Sequence, residues 1–252
     1  MRRPLIAGNW KMHKTPAEAV ELVQALKPLV ADMCAARDVV VCPPFVSLQA
    51  VNQVLQDSPV ALGAQNMHWE SEGAYTGEIS PAMILTCGCT YVILGHSERR
   101  QHFGETDATV NRKLAAALEI GLLPIICVGE SLEQRRAGRV EEVVLGQVEA
   151  ALQSVAAKDV PGFALAYEPI WAIGTGTASS ADQAEEVHSL IRNFLRQRFD
   201  SETAAQIRIL YGGSVKPDNA ADFFSRINID GGLIGGASIQ AETFAAIAKA
   251  GG

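Results

Sequence analysis

The side chains that could carry acid–base chemistry in this sequence stand directly after short apolar runs. Glu168, His96 and Lys11 each follow such a run, and Asn9 precedes Lys11 by two positions. A carboxylate can accept a proton, an imidazole can donate and accept one, and an ammonium can stabilise developing negative charge. We therefore expect these residues to act together on one small molecule, provided that the fold brings the ends of the runs together.

Glu168 is the candidate general base, although a carboxylate at the end of a strand can also be an ordinary solvated group. The segment after it has a restricted entry, large apolar side chains and two glycines: Pro169, Ile170, Trp171, Ala172, Ile173, Gly174, Thr175 and Gly176. Apolar residues are unusual in a surface loop, and we interpret this segment as a hinged lid. Its closure would remove water from the carboxylate and raise its basicity.

Glycines after the last two apolar runs indicate an anion site, although glycine pairs are also common in turns. Residues 212–214 read Gly-Gly-Ser, and residues 235–236 are both glycine. Glycine lets the backbone approach a ligand closely, and exposed N–H groups bind phosphate. An acidic protein can thus bind an anion locally, and we predict that the binding N–H groups belong to Gly174, Ser214, Gly235 and Gly236.

Strand–helix units are the elements that would position these residues. Eight apolar runs recur, and most are continuous, as expected of strands buried on both faces of a parallel sheet. Capping signals at Thr15, Ser131 and Ser180 begin amphipathic helices between the runs. The predicted strands cover residues 5–7, 39–42, 60–63, 91–94, 122–128, 163–167, 207–211 and 229–234.

This pattern predicts an α/β fold, a single (β/α)8 barrel formed by residues 1–252 as one domain. No linker or low-complexity segment marks a domain boundary. The first strand–helix turn, residues 8–11, lacks the Gly-x-Gly-x-x-Gly pattern of dinucleotide-binding sheets, which disfavours an open doubly wound sheet. Active sites of barrels lie at the carboxyl ends of the strands, where the residues named above would surround one pocket.

The composition excludes several classes of protein. The 252 residues are 48% hydrophobic with a formal net charge of −7, which disfavours a disordered chain and a nucleic-acid-binding surface. Five cysteines without Cys-x-x-Cys spacing favour a reduced cytoplasmic protein, and no cluster has the spacing of metal ligands. No stretch approaches the roughly 18 apolar residues of a membrane span, and the amino-terminal run is too short for a signal peptide.

Six motifs occur along the chain: Gly8-Asn9-Trp10-Lys11, Tyr75-Thr76-Gly77-Glu78, Gly95-His96-Ser97-Glu98-Arg99-Arg100, Ala166-Tyr167-Glu168-Pro169-Ile170-Trp171, Tyr211-Gly212-Gly213-Ser214 and Gly235-Gly236-Ala237-Ser238. They closely resemble those of the triosephosphate isomerase family, in its order and at its spacings over essentially the whole chain. The resemblance implies isomerisation of dihydroxyacetone phosphate and D-glyceraldehyde 3-phosphate through an enediolate, in glycolysis and gluconeogenesis, without a cofactor.

The resemblance also implies the role of each site residue. Glu168 would move the proton between two carbons of the substrate. His96 would donate a hydrogen bond from a neutral ring near the amino terminus of a helix, and this family is itself the standard example of such a neutral histidine. Lys11 would offset negative charge, and Asn9 would orient the same oxygens. Glu98 is expected to hold Lys11 in an ion pair, and the remaining supporting residues would be Ser97 and Tyr211.

A homodimer is implied in the same way. The segment 66–80 is long for a barrel loop, and it would insert as an arm into a second subunit. The dimer residues would be Gln65, Thr76, Glu78 and Arg99, with Thr76 near the partner subunit's Lys11 and Glu78 facing the partner subunit's Arg99. The sequence departs from the family at His13 and Tyr75, where asparagine and phenylalanine are more usual, and we expect no effect on the chemistry.

Two alternative functions are consistent with a phosphate-binding barrel. A Schiff-base aldolase needs a lysine at a strand end inside the barrel, but the sixth run ends at Glu168. A non-enzymatic relative acting as a binding protein would be expected to have lost Lys11, His96 or Glu168, and all three are present. The isomerase is therefore the favoured prediction.

Overall fold

The predicted barrel is confirmed by the structure, a computed structural model that describes residues 2–160, 162–173 and 179–250. Eight parallel strands pair in chain order, and the first pairs with the last to close the sheet. The strands are β1 Leu5–Asn9, β2 Asp38–Cys42, β3 Ala61–Ala64, β4 Tyr91–Leu94, β5 Leu123–Val128, β6 Ala164–Tyr167, β7 Arg208–Tyr211 and β8 Gly231–Ile234. The predicted runs locate all eight, with small differences at their ends.

Both faces of the strands are buried, which explains why the runs are continuous in the sequence. Alternate residues point to opposite faces of a strand. In β1, Leu5 and Ala7 belong to the core inside the barrel, whereas Ile6 belongs to the layer between the barrel and the helices. In β4, Ile93 belongs to the core inside the barrel, and Val92 belongs to the layer between the barrel and the helices. Neither face meets water, so neither requires polar residues.

Helices follow the strands and cover the barrel. The α-helices are α1 Pro16–Val30, α2 Leu48–Leu55, α3 Pro81–Thr86, α4 Ser97–His102, α5 Asp107–Glu119, α6 Leu132–Arg136, α7 Val140–Ala151, α8 Ala181–Arg198, α9 Ser201–Ala204, α10 Ala220–Phe224 and α11 Ala241–Ala250. Short 3-10 helices occupy Ala31–Ala35, Phe45–Ser47, Ala157–Asp159, Ile170–Ala172 and Gly236–Ile239.

The predicted helix starts are present as capping boxes. At α8, the Ser180 N–H donates to Gln183 Oε1 at 3.1 Å, and the Gln183 N–H donates to Ser180 Oγ at 3.1 Å. The same reciprocal pair at α6 joins Ser131 and Gln134. These bonds satisfy N–H groups that have no partner inside the helix, so each helix begins at a defined residue.

Candidate active site

The predicted site residues come together in one cavity of about 400 Å³ at the carboxyl end of the barrel. They arrive from the ends of β1, β4, β6, β7 and β8, which are distant in sequence and meet at one end of the closed sheet. The predicted residues that line the cavity are Asn9, Lys11, His96, Glu168, Ser214, Gly235 and Gly236. Gly174 lies outside the described residues.

Glu168 is held by two hydrogen bonds at the end of β6. Its side chain is 2% exposed, with Oε1 2.9 Å from His96 Nε2 and Oε2 accepting the Ser97 N–H at 2.9 Å. Burial acts to raise the pKa of Glu168, but His96, the Ser97 N–H and Lys11 outweigh burial and hold this pKa below its usual value. The sequence led us to expect desolvation to make this carboxylate more basic, and in this arrangement its hydrogen bonds reverse that effect.

His96 stands at the amino terminus of α4, where its Nδ1 accepts the Glu98 N–H at 3.2 Å. The hydrogen-bond pattern therefore assigns the ring proton to Nε2, which donates to Glu168. In a charged ring Nδ1 would also carry a proton, and two donors would then face each other at the Glu98 N–H. This contact therefore favours the neutral ring. Burial lowers the pKa of His96, but the neighbouring Glu168 carboxylate outweighs burial and raises it overall. Removing Glu168 from His96 would thus strengthen the preference for a neutral ring.

Lys11 is positioned by its backbone as well as by its charge. Its Nζ lies 2.6 Å from Glu98 Oε1, the pair expected from the sequence. Its φ of 52° is rare for a residue with a side chain and costs of order 1–3 kcal/mol, which surrounding contacts must offset. Asn9 Oδ1 accepts the Lys11 N–H at 3.0 Å, and Gln65 Nε2 donates to the Lys11 carbonyl oxygen at 2.8 Å.

Gln65 therefore has a role within the chain that sequence reasoning missed. Besides the Lys11 carbonyl, its Nε2 donates to the Cys42 carbonyl oxygen at 2.8 Å. The single amide thus joins the ends of β1 and β2 and holds the strained turn that carries Lys11. We predicted Gln65 as a dimer residue and, from its place directly after β3, as one of the residues around the pocket, but not its bond to Lys11.

Two glycines allow the backbone at Glu168 to pack closely. A Cβ at Gly129 would lie 1.8 Å from the Glu168 carbonyl oxygen, and a Cβ at Gly212 would lie 2.8 Å from Glu168 Cγ. Any side chain at Gly129 would displace the catalytic strand end. We predicted Gly212 in an anion-binding turn and gave Gly129 no role, although Gly129 also directly follows a strand.

The anion end of the cavity combines predicted and missed residues. Ser214 and the glycines at positions 235 and 236 line it, and Ser238 Oγ donates to the Gly235 carbonyl oxygen at 2.7 Å. A Cβ at Gly235 would lie 3.4 Å from Lys11 Cε, so glycine keeps this wall close to the ammonium. His13 and Lys216 also line the cavity, and sequence reasoning assigned neither to the site.

The described part of the lid, residues 169–173, is tied to a buried carboxylate that sequence reasoning also missed. Glu130, which is fully buried, accepts the Trp171 Nε1–H at 2.8 Å and the Tyr167 hydroxyl at 3.1 Å. Its backbone carbonyl oxygen accepts the Ile170 N–H at 3.2 Å, and Arg135 Nη1 lies 3.1 Å from the carboxylate. The other lid residues, Gly174, Thr175 and Gly176, lie outside the described residues.

Tyr211, predicted as a supporting residue, is fully buried at the end of β7. Its ring stacks on Phe223 with the ring centroids 4.2 Å apart. A Cβ at Gly213 would lie 2.2 Å from its hydroxyl oxygen, so the tyrosine packs under the glycine turn after β7. The structure thus places Tyr211 against the backbone of the predicted phosphate loop.

Two of the predicted dimer residues, Gln65 and Arg99, line a cavity beside the site. Thr76 and Glu78 are exposed, whereas Arg99 donates from Nε to Glu105 Oε2 of the same chain at 2.7 Å. Glu105 is buried and also accepts the Gly95 N–H at 3.2 Å, which connects Arg99 to the turn before His96. A second cavity of about 270 Å³ adjoins the site, lined by Lys11, Met12, Phe45, Glu98, Arg99 and Phe103 among others.

Neither a metal cluster nor a membrane span is found in the part of the chain that the structure describes. There, no group of three or more His, Cys, Asp or Glu side chains could hold a metal ion. None of the helices traced in those residues is both long and apolar enough to cross a membrane. The cysteines at positions 34, 42, 87, 89 and 127 are free thiols.

Comparison with known proteins gives matches over nearly the whole chain. A family model described as triosephosphate isomerase matches residues 4–251. A protein named triosephosphate isomerase from Thermoanaerobacter pseudethanolicus is 55% identical over 247 residues, which are 98% of this chain and 99% of that protein. A protein of the same name from Chloroflexus aurantiacus is 54% identical over 97% of both chains. Another, from Chlorobium phaeovibrioides, is 50% identical over 99% of both chains.

Proposed function

We propose, from the premise that this chain belongs to the triosephosphate isomerase family, that Glu168, His96, Lys11 and Asn9 carry its reaction. The chain is an isomerase that interconverts dihydroxyacetone phosphate and D-glyceraldehyde 3-phosphate, a step of glycolysis. The observation that supports the proposed roles is the convergence of these four side chains on one cavity. Each role below uses a protein side chain and requires no metal or organic cofactor.

Glu168 is the proposed general base, and substrate binding is proposed to activate it. The substrate carbonyl oxygen would take the place of Glu168 Oε1 as the acceptor of the His96 Nε2–H. Glu168 would then lose its bond to His96, the partner that lowers its pKa most, while burial, which raises the pKa, would remain. The carboxylate would remove a proton from the carbon beside the carbonyl, which gives an enediolate, and would return it to the former carbonyl carbon. The hydroxyl proton would pass by way of His96 to the former carbonyl oxygen, so that the carbonyl and hydroxyl groups exchange places.

His96 and Lys11 are proposed to stabilise the enediolate. The neutral His96 ring donates from Nε2, and its Nδ1 is fixed by the Glu98 N–H, so the donor points into the cavity without rotating. Lys11 supplies a positive charge near both the reacting oxygens and the wall at Gly235, and Asn9 orients the same oxygens. Positioned donors of this kind act where charge develops, which is where they lower the barrier most.

The phosphate group is proposed to bind at the N–H groups of Ser214, Gly235 and Gly236, with Gly174 contributing from the lid. The loops after the seventh and eighth strands are the usual phosphate site of this fold. The lid, residues 169–176, is proposed to close over the bound substrate. Trp171 would then have to leave the bond to Glu130 that holds it here.

We also propose a homodimer in which the segment 66–80 of one subunit inserts beside the site of the other. Large apolar side chains around the adjoining cavity support this, because Met12 is 94% and Phe103 is 68% exposed. Light scattering from the purified chain should give twice the 26.9 kDa subunit mass. A mass equal to one subunit would exclude this arrangement.

The chain is proposed to be a single domain over residues 1–252 and to work in the cytoplasm. The barrel extends from Leu5 to Ile234, and α11 packs on α1, so the two ends of the chain share one layer. The unpaired thiols fit a reducing compartment.

A coupled assay of both triose phosphates tests the proposed chemistry. We expect turnover in both directions without an added metal, and retention of activity in the presence of a chelator. Borohydride treatment with substrate should trap no imine, because no lysine carries the proposed chemistry covalently. Failure to interconvert the two substrates, or a trapped imine, would overturn the proposal.

A further inference from the structure

A second concave region lies at the opposite end of the barrel from the catalytic cavity. It has a volume of about 660 Å³, and its walls include residues at the first positions of strands. Asp38 begins β2, Tyr91 begins β4 and Arg208 begins β7. Arg2 and Arg3, which precede β1, complete its charged wall.

One carboxylate in this cavity serves two arginines. Asp38 Oδ1 accepts the Arg3 Nε–H at 2.6 Å, and Asp38 Oδ2 accepts from Arg208 Nη1 at 2.5 Å. The two guanidinium groups hold the pKa of Asp38 below its usual value even though burial alone would raise it. The carboxylate is therefore ionised at neutral pH and neutralises only one of the two positive charges.

The neighbouring carboxylate is shared in the same way. Asp230 Oδ1 accepts the Arg2 Nε–H at 2.5 Å, and Asp230 Oδ2 accepts from Arg192 Nη2 at 2.7 Å. Four guanidinium groups thus share two carboxylates at this end of the barrel. Among these described ion pairs, positive charges outnumber negative ones by two, in a chain whose formal net charge is −7.

Arg208 has donors that can reach a ligand, whereas each nitrogen of Arg3 already donates to Asp38 or to a backbone carbonyl oxygen. The bond to Asp38 engages one terminal nitrogen of Arg208, and a guanidinium carries five N–H donors in a fixed fork. The Arg208 side chain is 15% exposed, so water screens it only partly. A tetrahedral oxyanion matches the fork and brings the negative charge that this cavity lacks.

We propose that this cavity is a second, non-catalytic site for a phosphate-type dianion, bound by Arg208 and by the excess charge of Arg2 and Arg3. The site is separate from the phosphate site proposed at Ser214, Gly235 and Gly236, and it does not depend on the catalytic roles. Its ligand would balance the two unpaired charges and link the amino-terminal segment to β7.

Titration of the full-length isotope-labelled protein with inorganic phosphate at low ionic strength tests this site. We expect two saturable sets of amide shifts in the nuclear magnetic resonance spectrum, one around Gly235 and Gly236 and one around Gln206 and Ile209. Shifts confined to the catalytic end would overturn the proposal, whatever affinity the catalytic end shows.

A variant pair at Ala205, an exposed lining residue, changes the cavity without removing an ion pair. Ala205→Glu adds a negative charge, and Ala205→Gln adds the same volume without the charge. We expect the glutamate to weaken phosphate binding at the amino end by about tenfold or more, with the glutamine much closer to wild type. Equal effects of the two substitutions, or no effect of the glutamate, would contradict a charge-based site.

Discussion

At the carboxyl end of the barrel, Lys11 pairs with Glu98 and His96 pairs with Glu168, and the proposed reaction requires a ligand to take over the His96 bond. At the amino end, buried arginine bonds join carboxylates to backbone groups and hold elements together. Arg192, 1% exposed, donates to Asp230 and, from Nη1, to the Ala204 and Ile207 carbonyl oxygens at 2.5 Å each.

The difference shows how one fold separates reactivity from stability. The loops after the strands carry groups whose partners can be exchanged and a lysine in a strained conformation. The residues before the strands use the same charge types to fasten β7, β8 and α8 to each other. Substitutions at the carboxyl end should therefore lower activity, and substitutions at the amino end should lower stability.

Glu168→Gln should produce the largest effect. The amide keeps the size of the side chain but is not a base, so we expect kcat to fall by roughly 10²–10⁴ or more. Steady-state kinetics in both directions measures the loss. Thermal unfolding and the oligomeric mass serve as controls and should stay close to wild type. Near-normal turnover would remove Glu168 from the proposed role.

Arg192→Met should have the opposite profile. It leaves the Ala204 and Ile207 carbonyl oxygens without their donor and Asp230 without one partner, so we expect unfolding to require about 3 kcal/mol less free energy. Urea denaturation measures this, and kcat per folded molecule should be unchanged. Arg226→Met is the matched control, because Arg226 pairs with the exposed Asp182 at 3.0 Å and should cost less than about 1 kcal/mol. Equal losses would contradict the contrast between buried and exposed pairs.

His188 extends the comparison to pH. It is fully buried on the helix side of β6 and β7, and burial, opposed by the bond to the Asn228 carbonyl, lowers its pKa to about 3. An unfolded histidine has a pKa near 6.5, so below that pH the unfolded state alone gains the proton. The stability contributed by the neutral ring is complete above pH ~6.5 and is lost by up to about 1.4 kcal/mol per pH unit towards pH ~3.

His188→Gln should flatten this dependence. We expect the wild type to lose stability relative to the variant as the pH falls from about 7 to about 5. Urea midpoints at intervals across this range measure the difference. Parallel curves for the two proteins would show that His188 does not carry the pH dependence.

Lys216→Gln should give the smallest effect. Lys216 is exposed at the edge of the catalytic cavity, and its charge would favour the approach of a dianion to an acidic protein. We expect KM to rise by about two- to threefold at low salt and the difference to shrink at high salt. Lys249→Gln, at the exposed end of α11, should leave KM unchanged. A similar change in both variants would assign the effect to net charge instead of position.

The sequence predicted the barrel and the central site residues because both depend on local patterns. Continuous apolar runs located the eight strands, and the residue types directly after them located Glu168, His96 and Lys11. In a closed parallel sheet, those positions necessarily share one end. The pairing of Lys11 with Glu98 was expected from the family resemblance and from their opposite charges, since an unpaired carboxylate there would repel an anionic substrate.

Other features were decided by contacts between distant parts of the chain. Glu130 receives Trp171 and Tyr167 from the next strand and its loop, and Gln65 supports Lys11 across β2. Glutamate and glutamine are common in loops, so the residue type alone does not predict these hydrogen-bond partners. Only the closed sheet brings these groups within hydrogen-bonding distance.

The pKa of Glu168 shows the same division. The sequence by itself determined that a carboxylate ends the sixth strand, because an apolar run followed by Glu168 needs no information from elsewhere. It did not determine the pKa of that carboxylate, which depends on His96 and the Ser97 N–H reaching it from β4 and α4. The pKa of Glu168 depends on burial, nearby charges and hydrogen bonds, and these act on it only once the tertiary structure has formed.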